Sequence, residues 1–171
     1  MTIKAIIGLG NPGHSYYYHR HSIGFRVLDA LAEKYAGTWR SKDEVDSAEI
    51  TLNGKNVLLL KPTTFMNTSG RVMPALIKKG ITVDQVLVVH DELELPFGKL
   101  TIKCGGSARG HNGLKSIIAA VGDGLNRLRF GIGRPDSREM VPDYVLENFS
   151  ESAVDVDMAI AQAVELIEKQ F

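Results

Sequence analysis

The feature that most constrains this chain is a stiff, glycine-rich turn set between two regular elements. An apolar run, Ile3 to Ile7, leads into Gly8-Leu9-Gly10-Asn11-Pro12-Gly13, and an amphipathic helical pattern leads out after Ser22. Gly8, Gly10 and Gly13 leave the backbone free to turn where a side chain would clash. Pro12 fixes one dihedral and biases Asn11 towards an extended conformation. An amide is thereby held just past a strand end, where open α/β sheets place their ligands. A few residues on stands His21, a group able to take a proton.

The remaining pattern alternates strands with helices. Ile3 to Gly8 reads as a buried strand. Ser22 is positioned to cap a helix over 23–36, with Phe25, Leu28, Leu31, Ala32 and Tyr35 on one face and Gly37 at its end. Ser47 to Leu52 and Val57 to Leu60 form a hairpin about Asn53-Gly54. Thr68 or Ser69 can cap a helix running to Lys79. Val86 to Val89 is near-continuously apolar and is expected to be central in the sheet. It delivers His90-Asp91-Glu92 at its end. A strand over 100–103, a glycine-rich loop over 105–113, a helix over 114–121 and a strand over 127–133 follow. Pro142 to Phe149 reads as a short, helical stretch. Ser150 is expected to cap a last helix over 151–170, with Val154, Met158, Ala161, Val164, Leu166 and Ile167 as its buried face. Strands mixed with crossover helices and one hairpin predict an α/β fold, a single three-layer domain over 1–171 with a mixed, twisted sheet flanked by helices.

Composition narrows the class. The 171 residues are enough for one sizeable core. No apolar run is long enough for a membrane span, and the first residues lack the apolar stretch of a signal peptide. One cysteine, Cys104, excludes an internal disulfide and fits a cytoplasmic location; it is expected to be a small packed residue. The net charge of zero hides an asymmetry. Residues 97–138 hold eight basic side chains and two acids, a net of +6, whereas residues 139–171 hold eight acids and one lysine, a net of −7. A basic segment attracts phosphate backbones and an acidic tail repels them; equally, the two can neutralise each other across a surface.

Asn11, His21, Asn67, Asp91 and Asn112 fall at strand ends or in glycine-rich loops. Each has a plain structural explanation: a turn residue, a surface histidine, a helix-entry cap, a loop cap and a cap for the helix at 114. Together they suggest hydrolysis with water as nucleophile. A histidine near its ordinary pKa of about 6.5 is a workable base. A carboxylate can orient the imidazole, as in triad logic without the serine. Asparagine amides can donate to a developing oxyanion, a contact worth roughly 3–4 kcal/mol. There is no G-x-S-x-G elbow and no H-E-x-x-H pair. His19 and His21 stand two apart and His111 could join them, but neither metal nor cofactor is expected.

Six strings occur in an order that resembles one family: Gly8-Leu-Gly-Asn-Pro-Gly13, Arg20-His21 with Gly24, Lys61-Pro-Thr-Thr-Phe-Met-Asn67 with Ser69-Gly70, His90-Asp91-Glu-Leu93, Gly110-His-Asn-Gly-Leu-Lys115 and Arg127-Leu-Arg-Phe-Gly-Ile-Gly133. They are similar to bacterial peptidyl-tRNA hydrolases. The resemblance implies cleavage of the ester between a peptide and the ribose of tRNA, by a metal-free monomer. It assigns His21 as base on water, Asp91 as its support and Asn11 as the group that orients water and stabilises the oxyanion. Asn67 and Asn112 would hold the peptide and ester end, Tyr16 would lie near the tRNA 3′ end, Phe65 would belong to the substrate- and tRNA-binding set, and Lys103 and Arg129 would meet phosphate.

The chain departs from that family's pattern in four places. Thr-Arg-His-Asn becomes His19-Arg20-His21-Ser22, so an amide beside the base is lost. A basic position two before Lys103 is Thr101. The glycine-rich loop carries Ser107, Ala108 and Arg109, and the sequence ends at Phe171 where the family usually continues. Two other functions compete: an RNA-binding module without turnover, whose sign would be loss of His21 or Asp91, and a small-ester hydrolase that has dropped tRNA.

Overall fold

The computed structural model describes residues 2–171. Seven strands form one sheet: β1 (Ala5–Gly8), β2 (Arg40–Lys42), β3 (Val45–Leu52), β4 (Lys55–Pro62), β5 (Val86–Glu92), β6 (Leu100–Cys104) and β7 (Asn126–Gly131). Their order is β2-β3-β4-β1-β5-β7-β6. The centre, β4-β1-β5-β7, is parallel, and the outer pairs β2-β3, β3-β4 and β6-β7 are antiparallel. The mixed sheet was expected, and the Asn53-Gly54 hairpin pairs β3 with β4 as read. Sequence reasoning missed β2, a three-residue, fully exposed edge strand without an apolar pattern.

Among the described residues the α-helices are α1 (Ile23–Lys34), α2 (Met73–Lys78), α3 (Asn112–Val121), α4 (Val141–Val145) and α5 (Ala153–Glu168). They make the chain three-layered because the central strands are apolar on both faces. Ile6, Leu87 and Val89 pack under α1 and α5, while Ala5, Ile7, Val86 and Val88 pack against α2 and α3. A strand buried twice has no reason to alternate polar with apolar residues, and β1 and the apolar run of β5 do not.

Close backbone approach decides where α1 sits. A Cβ on Gly8 would collide with the carbonyl of Gly24, and one on Gly24 would strike the backbone of Leu9. These two glycines let α1 lie directly on the end of β1, which pins the intervening turn. The chain leaves β1 towards the β2–β4 side of the sheet, returns from β4 past β1 to β5 and leaves β5 towards β6 and β7, so the carboxyl ends of β1 and β5 border a topological switch point.

Several local expectations need correction. The αL residue at the end of α1 is Ala36 rather than Gly37; Gly37 instead lies against Ile50. Ser152, not Ser150, caps α5, its hydroxyl accepting from the Asp155 N–H at 3.1 Å. The buried face of α5 is Val156, Ala159, Ile160, Ala163, Val164 and Ile167, leaving Val154 and Met158 exposed. Neither Thr68 nor Ser69 caps a helix: residues 66–72 form a 3-10 segment, and the two hydroxyls donate back to the carbonyls of Phe65 and Met66. Cys104 is exposed on β6 rather than packed. Among the described residues no helix is long and apolar enough to cross a membrane.

Candidate active site

The site begins at the turn after β1. Residues 20–22 form one 3-10 turn, all of it buried. Ser22 does not cap α1 through its side chain. Its hydroxyl instead accepts the backbone N–H of Asn11 at 3.1 Å, tying the glycine-rich turn to the start of the helix. Asn11 in turn accepts the Met66 N–H at 2.8 Å through Oδ1. Its Nδ2 has no protein partner among the described residues and is not sealed from solvent, so one amide donor is left free.

His21 meets Asp91 across the switch point. The Nδ1–H donates to Oδ2 at 2.9 Å and lies 3.1 Å from Oδ1. Strand β5 extends three residues beyond the apolar run, so Asp91 lies within the ladder, paired in register with Phe130, and is buried. A third group, considered from sequence only as a metal ligand beside His19 and His21, completes the arrangement. His111 sits 2.7 Å from Oδ1 through Nε2, and its Nδ1 accepts the Leu114 N–H at 3.3 Å as the N-cap of α3. His111 therefore does the capping assigned to Asn112, which is the first residue of the helix and exposed.

Burial alone would pull the imidazole of His21 down, but the Asp91 charge and hydrogen bond outweigh it and hold the pKa above its ordinary value. Burial would likewise push the Asp91 carboxyl up; the imidazoles of His21 and His111 reverse that and hold it well below the usual carboxylate range. His90, one residue away, is pushed down to about 4 by burial and by His111. It is neutral, with its Nδ1–H on the Asp91 carbonyl at 2.8 Å.

His21, Asp91 and His111 offer ligand atoms within 4.8 Å of one another, the one such group among the described residues. The chemistry of this set does not suit a cation. Both imidazoles point a nitrogen at the carboxylate at hydrogen-bond distance, and the cap bond leaves the proton of His111 on Nε2. His19, the partner considered from sequence, is not part of the group.

A cleft of about 460 Å³ opens over this cluster. Its lining includes His21, Asp91, Asn112, Lys103 and Arg129, so five of the expected site residues share one wall system. Asn11, Asn67, Tyr16 and Phe65 do not border it. Tyr16 and Phe65 meet edge to face at 5.9 Å between ring centres; Phe65 is exposed beside Asn67, also exposed. Arg129 is not a free cation, because its Nε donates to Glu92 at 2.8 Å. Lys103 is exposed, and Arg109, Arg134 and Arg138 add to the positive lining.

Two further arginines escaped sequence reasoning, since both looked like surface charge. Arg127 is buried and donates to the carbonyls of Ser107, at 2.7 Å, and Gly106, stapling the glycine-rich loop. Arg20, also buried, stacks on Tyr144 at 3.7 Å and donates to its carbonyl at 2.9 Å, fastening the 138–149 wall to the turn that bears His21. A signal existed only for Arg20, which flanks the histidine; Arg127 lies on β7 with Asn126 and Arg129, where nothing sets it apart.

Fold and site together define an α/β scaffold that carries a histidine–carboxylate pair at the carboxyl ends of parallel strands. Purine nucleoside phosphorylase from Toxoplasma gondii shares the fold at a TM-score of 0.57 and 8% identity over 99% of this chain and 93% of that one. Much nearer likenesses exist. The family model for peptidyl-tRNA hydrolase matches residues 5–171. The peptidyl-tRNA hydrolase of Rubrobacter xylanophilus is 43% identical over 94% of this chain and 91% of its own length, and that of Methylocella silvestris 47% over 93% and 82%. The crystal structure of peptidyl-tRNA hydrolase from Acinetobacter baumannii superposes with a TM-score of 0.88 at 36% identity, covering 98% of this chain and 85% of that one. The chain belongs to the peptidyl-tRNA hydrolase family and is accordingly a hydrolase.

Proposed function

We propose that this chain hydrolyses the ester joining a peptide to the ribose of tRNA, with His21 as general base. The observation that carries the reading is the orientation of His21. Its Nδ1–H is committed to Asp91, and no protein group meets its Nε2 among the described residues, so a lone pair is left for water. Water donates a proton to Nε2 as its oxygen bonds to the ester carbonyl. The tetrahedral intermediate then expels the ribose oxygen, which takes the proton back from the imidazolium. Asp91 fixes the tautomer and stabilises the charged ring. The free Nδ2 of Asn11 is a donor for the oxyanion.

The other groups divide by chemistry. Asn67 and Asn112 offer exposed amides for the peptide and the ester end. Tyr16 and Phe65 offer an aromatic pair for the terminal base and sugar. Lys103, Arg129 and the exposed Arg109 suit phosphate. No metal or cofactor enters the reaction. We read 1–171 as one domain that works as a monomer in the cytoplasm.

The test is release of peptide from an N-blocked aminoacyl-tRNA beside a simple ester, in wild type and His21→Ala. Turnover of the tRNA substrate, reduced on the order of 10²–10⁴-fold in the variant, is the expected result. Near-normal turnover in His21→Ala removes it as the base. Equal turnover of both esters points to a general esterase, and binding without turnover to an RNA-binding module.

A further inference from the structure

We propose that His111 is a positioning residue for the reaction: its Nε2–H, fixed in that tautomer by the cap of α3, holds Asp91 and thereby sets the basicity of His21. This rests on the reading of His21 as the base, but the coupling between the three groups can be tested apart from it.

The tautomer follows from hydrogen-bond directions. A helix N-cap must accept, and Nδ1 of His111 accepts the Leu114 N–H at 3.3 Å. In the neutral ring the proton then resides on Nε2, which faces Asp91 Oδ1 at 2.7 Å. Oδ1 therefore has His111 as donor and Oδ2 has His21, at 2.9 Å. The two rings stand 4.8 Å apart between centres. A second donor spreads the carboxylate's charge and weakens its hold on the His21 proton. With His111 in place His21 is raised, but less than a singly bonded buried carboxylate would raise it, which favours free base near neutral pH.

The other charged and titratable groups around the cluster are accounted for. From β5, His90 is neutral and its ring lies 5.3 Å from that of His111. Also on β5, Glu92 is paired with Arg129 of β7. Arg127 of β7 is bonded to the loop carbonyls, while Lys103 of β6, Arg109 of the loop, Glu94, Arg134 and Arg138 line the outer cleft. Among the described residues, only His21 and His111 place side-chain donors on the Asp91 carboxylate. The same contact links α3 to the base: the helix that presents Asn112 begins at the residue that holds Asp91.

Two substitutions separate positioning from structure. In His111→Asn the side-chain oxygen replaces Nδ1 and keeps the cap, but nothing reaches Asp91. In His111→Gln the amide N–H replaces Nε2 and keeps the donor to Asp91, but the cap is lost. The experiment is ¹⁵N NMR titration of the imidazoles in wild type and both variants, with the pH profile of kcat/KM on N-blocked aminoacyl-tRNA. We expect wild-type His111 as the Nε2–H tautomer. In His111→Asn the His21 titration and the acid limb of the profile should move up by roughly half a pH unit to one unit; both should stay near wild type in His111→Gln. An Nδ1–H tautomer, or an unmoved His21 titration in His111→Asn, overturns the proposal. If His21 titrates as expected but His21→Ala retains turnover, the coupling stands and the assignment of the base fails.

Discussion

Ser22 carries a job that its position in sequence disguised. Placed as a helix cap, it spends its hydroxyl on the N–H of Asn11 instead, at a fully buried site. Ser22→Ala strands that N–H away from water, and we expect a loss of about 1–3 kcal/mol in urea unfolding, together with lower kcat as Asn11 loosens. The His21–Asp91 pair sets a second expectation. Asp91, depressed in the fold, contributes stability above its unfolded pKa of about 3.9, and that contribution is lost as pH falls through the folded value. His21, raised in the fold, contributes most below about 6.5 and loses its share as pH rises through its folded pKa. Urea midpoints measured across pH should thus be highest between those limits, and Asp91→Asn should flatten both limbs. A wild-type acid limb in that variant would mean other carboxylates dominate.

At the scale of elements, close contacts position the polar groups. The 3-10 segment at 66–72 and helix α3 meet through Gly70, whose N–H donates to Ser116 Oγ at 2.8 Å and whose Cβ, were there one, would overlap the Ser116 carbonyl. Asn67 and Asn112 ride on these two elements. Gly70→Ala is expected to cost about 1–3 kcal/mol through overpacking, and to raise KM more than it lowers kcat, because it shifts both amides and leaves His21–Asp91 alone. Unchanged KM in a folded variant would detach these asparagines from substrate. Legibility varied by element for physical reasons. Strand β1 could be read because a twice-buried strand must be apolar, and the β3–β4 hairpin because Asn53 and Gly54 supply the positive φ that its turn needs. Helix α5 was misphased because Val154, Met158 and Ala161 offer a second apolar stripe beside the one that docks. Only packing against α1 chooses between them.

For the whole molecule, the basic segment gathers at the cleft, where Arg129 and Arg134 are paired with Glu92 and Glu94. The 97–138 segment supplies Lys103, Arg109, Arg127, Arg129, Arg134 and Arg138 to the cleft, and the acids of 139–171 lie mostly along α5 and the turn before it. Affinity for tRNA should fall steeply with salt, and Lys103→Ala should reduce the slope of log K against log salt by about one. Arg129→Ala should also flatten it, while releasing Glu92 from its partner. A slope unchanged in both variants would exclude phosphate contacts there. One sheet with a shared core on each face should melt in a single transition, and two separated calorimetric peaks would contradict a single domain. The sequence by itself determined the central strands, the β3–β4 hairpin, helices α1, α3 and α5, the glycine-rich turn, the family strings and the identity of the polar residues, because these depend on local periodicity and backbone freedom. Only the tertiary structure decided that His111 rather than Asn112 caps α3, that Asp91 lies between two imidazoles, and that Arg20 and Arg127 are buried clasps. The cap depends on where α3 begins once it packs against residues 66–72, and the other contacts on which segments meet across the sheet; no local pattern in the chain encodes either.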